Sequence, residues 1–271
     1  MTRDEHGPSI YMASHGNNPS IHHFDEDCKP AILVSYAYLQ SWADAATRAA
    51  VCHRHWMMDS GAYTAWTKGK PVVLDEYTAV CRDLLAADPK LLEVIGLDVI
   101  GSWRDTQRNV TRMWAQGVPA IPVYHLGEPE DVLRGYARDY PKVCVGGVYL
   151  LKGQEEKRRY IETVFAKVWP CALHALAVSG VDEGLIAPWH SMDSSSAFRG
   201  ANGFGTWRGY SGPRPSQRWR RLRPLPAGYD HDVRVEVSYY LKGEETLRHR
   251  WAREMAEVAA RLRAASWRGY V

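Results

Sequence analysis

What this chain of 271 residues lacks narrows its class before any motif is considered. No run of about 18 apolar residues occurs, so no membrane-spanning helix is expected. The opening MTRDEHGPS is polar and has no apolar core, so a secretory leader is not expected either. The five cysteines (Cys28, Cys52, Cys81, Cys144 and Cys171) form no CxxC or CxCxxC, which leaves no cysteine-based structural zinc site to read. They fit small core thiols in a reducing cytoplasm. No GxGxxG follows an early strand, which counts against a dinucleotide-binding open sheet. A formal charge of +3 is too small by itself to indicate a polyanionic partner. With 45% apolar and 24% charged residues, the composition is that of a globular chain able to bury a full core.

What is present is a regular alternation. Eight short runs rich in β-branched and aromatic residues fall at Ile10–Ser14, Ala31–Tyr36, Trp56–Ser60, Val94–Ile100, Ala120–His125, Val143–Tyr149, Ala172–Ser179 and Pro188–Ser194. Several are apolar throughout, as strands buried on both faces are. Helical patterns lie between them, at Leu39–Cys52 (with Trp42), Asp75–Ala87, Arg104–Gln116, Glu128–Tyr140 and Gln154–Trp169. Strands that alternate with helices predict an α/β fold, here a (β/α)8 TIM barrel formed by residues 1–271 as one domain. Residues 199–223 break the pattern with seven arginines and no acid, interleaved with Trp207, Tyr210 and Trp219. The stretch 199–230 therefore reads as an Arg/Trp-rich insertion near the barrel mouth. Alternation at Val233, Val235, Val237 and Tyr239 predicts a C-terminal strand over His231–Leu241, followed by an amphipathic helix over Glu244–Ala264.

Active sites of such barrels lie at the C-terminal ends of the strands. The polar residues ending these runs are Asp59-Ser60-Gly61, Asp98, His125, Gly146-Gly147, Ser179-Gly180 and His190 to Ser194. More than one carboxylate would face a single mouth, with glycines that admit a flat ligand close to the backbone.

Met58-Asp59-Ser60-Gly61-Ala62-Tyr63 resembles the Asp-Ser-Gly-Gly-Phe motif of the tRNA-guanine transglycosylase superfamily. Later features follow in a similar order: Leu97-Asp98, Gly146-Gly147, the Ala-Val-Ser-Gly segment at 177–180, and Asp193. The resemblance spans roughly residues 56–196. The small size and the missing Cys-x-Cys-x-x-Cys…His module make the chain most similar to the phage-type 7-deazaguanine DNA transglycosylases. Ala62-Tyr63 departs from the family's Gly-Phe. The resemblance implies base exchange at C1′ of a nucleotide, with guanine replaced by a 7-deazaguanine such as preQ0. It implies Asp193 as nucleophile, Asp59 as general acid/base, and Asp98, Ser60, Gly146, Gly147, Ser179 and Gly180 as base-binding residues. Tyr63, Tyr124 or Tyr149 would stack on the base. No cofactor and no metal is expected.

The arginine segment, with Arg208, Arg214, Arg218, Arg220 and Arg221, suits phosphate contact with aromatic stacking, and DNA is favoured over tRNA. A target base would have to leave its stack to reach a pocket. The expected setting is the cytoplasm, that of the host if a phage encodes the chain, with no membrane partner and a homodimer as the assembly to test. Three other readings compete. One keeps the chemistry but acts on tRNA or on a free nucleoside or nucleotide. Another is a metal-dependent hydrolase on the same fold, gathering His53, His55, His125, His174, His190 and Asp193. The last is an inactive nucleic-acid-binding module.

Overall fold

A computed structural model describes residues 7–14, 30–37, 54–178, 180–195, 206–210, 215–220 and 228–264, and for 206–210, 215–220 and 228–236 the backbone alone. Nine strands form one sheet: β1 Ser9–Ser14, β2 Ala31–Ser35, β3 Trp56–Asp59, β4 Leu91–Ile95, β5 Ala120–Ile121, β6 Val123–His125, β7 Lys142–Gly146, β8 Ala172–Ala175 and β9 Ser191–Ser194. Their order is β5-β4-β3-β2-β1-β9-β8-β7-β6, and every paired neighbour is parallel. The two end strands are separated in sequence only by Pro122, so the sheet curls into a nearly closed barrel. Pro122 has no N–H to donate to a ladder. Its carbonyl nonetheless accepts from the Cys144 N–H at 2.8 Å, tying this point to β7.

Strand periodicity sorts the side chains into two layers. Tyr11, Ala31, Leu33, Met57, Ile95, Ile121, Val123 and Cys144 pack inside the barrel. Their alternates, among them Ile10, Met12, Ile32, Val34, Trp56 and Met58, face outward into the larger core beneath the helices. Both faces are dry, which is why the runs are apolar throughout rather than alternating. A buried ion pair spans the interior, where both oxygens of Glu93 on β4 accept from Lys142 Nζ on β7 at 2.8 Å.

The outer layer comprises α1 Ala62–Lys68, α2 Leu74–Ala87, α3 Trp103–Ala115, α4 Glu130–Asp139, α5 Gln154–Val168, the short α6 Val181–Gly184, α7 Gly228–Arg250 and α8 Ala252–Ala264. Each longer helix buries one stripe, as in α2 with Tyr77, Cys81 and Leu84, or α5 with Ile161, Val164, Phe165 and Val168. The α3 helix begins on Ser102, whose Oγ accepts the Asp105 N–H at 3.4 Å. The helix expected over Leu39–Cys52, including Trp42, lies outside the described residues.

The C-terminal region corrects the sequence reading. His231–Leu241 is not a strand but part of α7, and the expected helix over Glu244–Ala264 is divided at Trp251 between α7 and α8. The physical reason is the spacing of the buried set. Val237, Tyr240, Glu244, Leu247 and Trp251 recur every three or four residues, a helical stripe that outweighs four alternating positions. Glu244 secures this helix to the barrel by accepting the Ile10 N–H at 2.7 Å and the Arg54 guanidinium at 2.8 Å. Within the arginine-rich stretch, β10 Thr206–Tyr210 and β11 Pro215–Arg220 pair antiparallel as a separate two-stranded sheet, with Trp207 opposite Trp219 and Arg208 opposite Arg218. No helix among the described residues is long and apolar enough to cross a membrane.

Candidate active site

The site begins where β3 ends. Asp59 is its last residue, and the chain turns at once through Gly61, whose φ is +74°. The Gly61 N–H donates to Asp59 Oδ2 at 3.0 Å. A Cβ at Gly61 would lie 2.8 Å from Ser35 Oγ and 2.9 Å from the Ala37 Cβ, so both conformation and space call for glycine here. Ser60 is fully buried. Its Oγ accepts the Ala62 N–H at 3.2 Å, starting α1, and donates to Asp98 Oδ1 at 3.1 Å. This tight turn places two polar residues at the barrel mouth.

Asp98 lies just beyond β4, three residues after the strand's end, because β4 runs from Leu91 to Ile95 rather than over the later stretch that the sequence pattern indicates. Its other oxygen, Oδ2, is 3.0 Å from His125 Nε2. A carboxylate only accepts, so Nε2 carries the proton. Burial works against a charge on His125, but the hydrogen bond and charge of Asp98, joined by Glu128, hold its pKa above the ordinary value. Glu128 Oε2 accepts the His125 backbone N–H at 3.0 Å. The ring rests on Gly146 at the end of β7, where an added Cβ would be 2.9 Å from Nδ1. Gly147 follows with φ +88°, turning the chain into a short 3-10 segment, Val148–Leu150. Ser60, Asp98 and His125 thus form one relay joining the ends of β3, β4 and β6, with Gly146 and Gly147 beside it.

Asp193 enters from β9, opposite Tyr11 of β1, and is buried. Its Oδ1 accepts the Ala177 N–H at 2.8 Å. Ala177 holds φ +55°, a left-handed conformation costing an L-residue about 1–2 kcal/mol. The donor is therefore aimed at Asp193 against a local backbone preference. On the other side, His174 Nε2 lies 3.4 Å from the same oxygen without forming a hydrogen bond, while its Nδ1 is 2.8 Å from Ser191 Oγ. Burial, against the opposing pull of Asp193, lowers the His174 pKa and keeps the ring neutral. The Nδ1···Ser191 hydrogen bond fixes the ring and leaves Nε2 beside Asp193. His174 and Ser191 are sealed inside the barrel, so they orient Asp193 rather than meet a ligand.

The carboxylates interact across the mouth. Burial above all, then the charges of Asp98 and Asp193, push the Asp59 pKa up to about 7, against the opposing hydrogen bond from the Gly61 N–H. A carboxyl that titrates near neutrality can both give and take a proton at working pH. Asp59 has that property, within electrostatic reach of two further acids.

Other expected residues are placed differently. Gly180 is buried at the start of α6, and Ser179 lies outside the described residues. Arg208 lies on β10, and Arg218 and Arg220 on β11; Arg214 and Arg221 fall outside the described residues. Tyr124 is corrected as a stacking group. It faces outward into the core beneath the helices, and its hydroxyl donates to the Glu128 carbonyl at 2.9 Å. Tyr63 and Tyr149 are exposed at the mouth. The sequence reading gave no role to Glu128 and offered His125 and His174 only as ligands of a competing metal site. His125 was also visible as a strand-end polar residue, whereas nothing in the sequence places His174, in the middle of an apolar run, beside Ser191 and Asp193. Among the described residues no group of three or more His, Cys, Asp or Glu is arranged to hold a metal ion. His53 lies outside them. The sequence matches no protein-family model and no curated protein.

Proposed function

We propose that the chain is a transglycosylase that exchanges guanine in a polynucleotide, with DNA favoured over tRNA, for a 7-deazaguanine base such as preQ0. The observation that carries this reading is the juxtaposition of Asp59, poised near neutrality, with Asp98 and Asp193 around one barrel mouth. On this reading β5 and β6 are two halves of one strand broken at Pro122, and the architecture is a (β/α)8 barrel. The arginine-rich stretch, with Arg208, Arg214, Arg218, Arg220 and Arg221, contacts phosphates.

Asp193 attacks C1′ as the C1′–N9 bond breaks. The bonding pair departs with guanine, which takes a proton from Asp59, and C1′ is left esterified to Asp193. Positive charge building on the sugar in this step is stabilised by the surrounding carboxylates. The incoming 7-deazaguanine then loses its N9 proton to Asp59. N9 attacks C1′ and displaces Asp193, so Asp59 ends as it began. Asp98, held by Ser60 and His125, accepts from the N–H donors of the base edge, and Gly146 and Gly147 let that edge approach the backbone. Asp193 is held for attack by the Ala177 N–H donated to Oδ1, with the His174 ring packed beside it. Every step is closed by this chain's own side chains.

Incubation with labelled guanine tests the reading. Label should enter single-stranded DNA and be chased out by 7-deazaguanine. Incorporation into tRNA alone would move the substrate to RNA, and no incorporation into either polymer would remove the proposal.

A further inference from the structure

The large apolar side chains left exposed among the described residues are Tyr63, Trp66, Val73, Tyr149 and Leu150, with Trp66 64% and Tyr63 57% exposed. All five belong to two segments that follow C-terminal strand ends, 62–73 after β3 and 148–150 after β7. Between β3 and β7 the barrel places β4, β5 and β6, whose ends carry Asp98 and His125. The two segments nevertheless meet, since the Tyr63 ring centroid is 6.5 Å from that of Tyr149 and 6.2 Å from that of Trp66. They bridge the rim beside the Ser60–Asp98–His125 relay.

The rings leave one another's faces open. Tyr63 and Tyr149 meet edge-on at 81°, and Tyr63 and Trp66 are tilted by 43°, so no ring stacks flat on its neighbour. Within the two stretches the charge is of one sign, with acids beginning just outside them at Asp59, Asp75, Asp139 and Glu155. Residues 60–74 and 140–154 contain no acid, and Lys68, Lys70 and Lys152 are exposed. Open π-faces among cations, beside the polar relay at the barrel mouth, match an unpaired polynucleotide strand. A second copy of this chain would gain apolar cover from the aromatics but would set like charges together.

We infer that Trp66 and Tyr149, spaced by Tyr63, form a stacking platform for the nucleotides that flank the target, with Lys68, Lys70 and Lys152 along the phosphates. The inference rests on the transglycosylase reading for its target but not for its test. Fluorescence anisotropy would measure binding of labelled unpaired DNA, the RNA of the same sequence, and the DNA duplex, with no exchange required. Trp66→Ala and Tyr149→Ala should each weaken binding of the unpaired strand by about tenfold, while Trp66→Phe retains most of it. The stronger of the DNA and RNA arms identifies the strand. Unchanged binding in both alanine variants would overturn the platform. So would a preference for duplex that ignores both residues, or loss of self-association in Trp66→Ala with binding intact, which would assign the patch to a second copy. Base exchange that proceeds without any dependence of binding on these rings sinks the platform alone. Binding that depends on them in a protein without exchange activity sinks the enzymatic reading alone.

Discussion

Asp59 carries opposite consequences for stability and for chemistry. Its carboxyl binds a proton more tightly in the folded chain than in the unfolded one, with a pKa raised from 3.8 to about 7. The stability this lends is complete below the unfolded value and falls away as pH rises through 7. Asp59→Asn keeps an acceptor for the Gly61 N–H and abolishes the decline. Denaturant titrations should show the variant more stable than the parent by about 1–3 kcal/mol at pH 8, with the difference gone near pH 4. Equal stabilities at both pH values would contradict the raised pKa. The same residue shows what one sequence can reveal. Asp59-Ser60-Gly61 was legible because it follows an apolar run, and the structure puts all three residues at the end of β3 and the turn into α1. His174 was not legible, because a histidine within Ala-Leu-His-Ala looks like any core residue until its partners Ser191 and Asp193 are seen.

Among the elements, the turn from β3 into α1 depends most on one residue. Gly61 adopts φ +74°, and a Cβ there would meet Ser35 Oγ, the Ala37 Cβ and, at 3.0 Å, the Ala37 backbone nitrogen. Gly61→Ala combines a left-handed penalty with contact against backbone that cannot step aside. The expected cost is about 2–4 kcal/mol by thermal denaturation, together with loss of base exchange. A neutral substitution would show that the turn is adjustable and that Asp59 is not held by it. The strands were the readable elements, since each of the eight apolar runs contains or overlaps a strand of the barrel. Their ends were less so. The β4 strand ends at Ile95, which moves Asp98 into the following loop, and α7 replaces an expected strand. In both cases tertiary burial, not local pattern, set the limits. Alternation in 231–241 loses to the longer helical stripe through Tyr240, Glu244 and Leu247.

At the scale of the molecule, apolar packing holds the nearly closed barrel together, and a buried Lys142–Glu93 ion pair braces its interior. Lys142 and Glu93 face each other on strands on either side of the closure at Pro122, and the pair, with burial working the other way, brings the Glu93 pKa down to about 2. Lys142→Met strands a carboxylate in a dry interior and should cost roughly 3–5 kcal/mol at pH 7. The double variant Lys142→Met/Glu93→Leu should recover most of that loss, and failure to recover would mean the pair does more than neutralise itself. Because the Glu93 pKa is depressed, its contribution is full above about 4.5 and fades as pH falls toward 2. No pattern in the sequence pairs these residues, since they lie 49 positions apart inside apolar strands.

The central claim is that Asp193 becomes covalently joined to a sugar. Its most direct test is peptide mapping by mass spectrometry after incubation with single-stranded DNA while the incoming base is withheld. The account predicts a glycosyl adduct on the peptide that contains Asp193, present in the parent and absent in Asp193→Asn. An adduct on another residue, or one formed at full yield by Asp193→Asn, would contradict it.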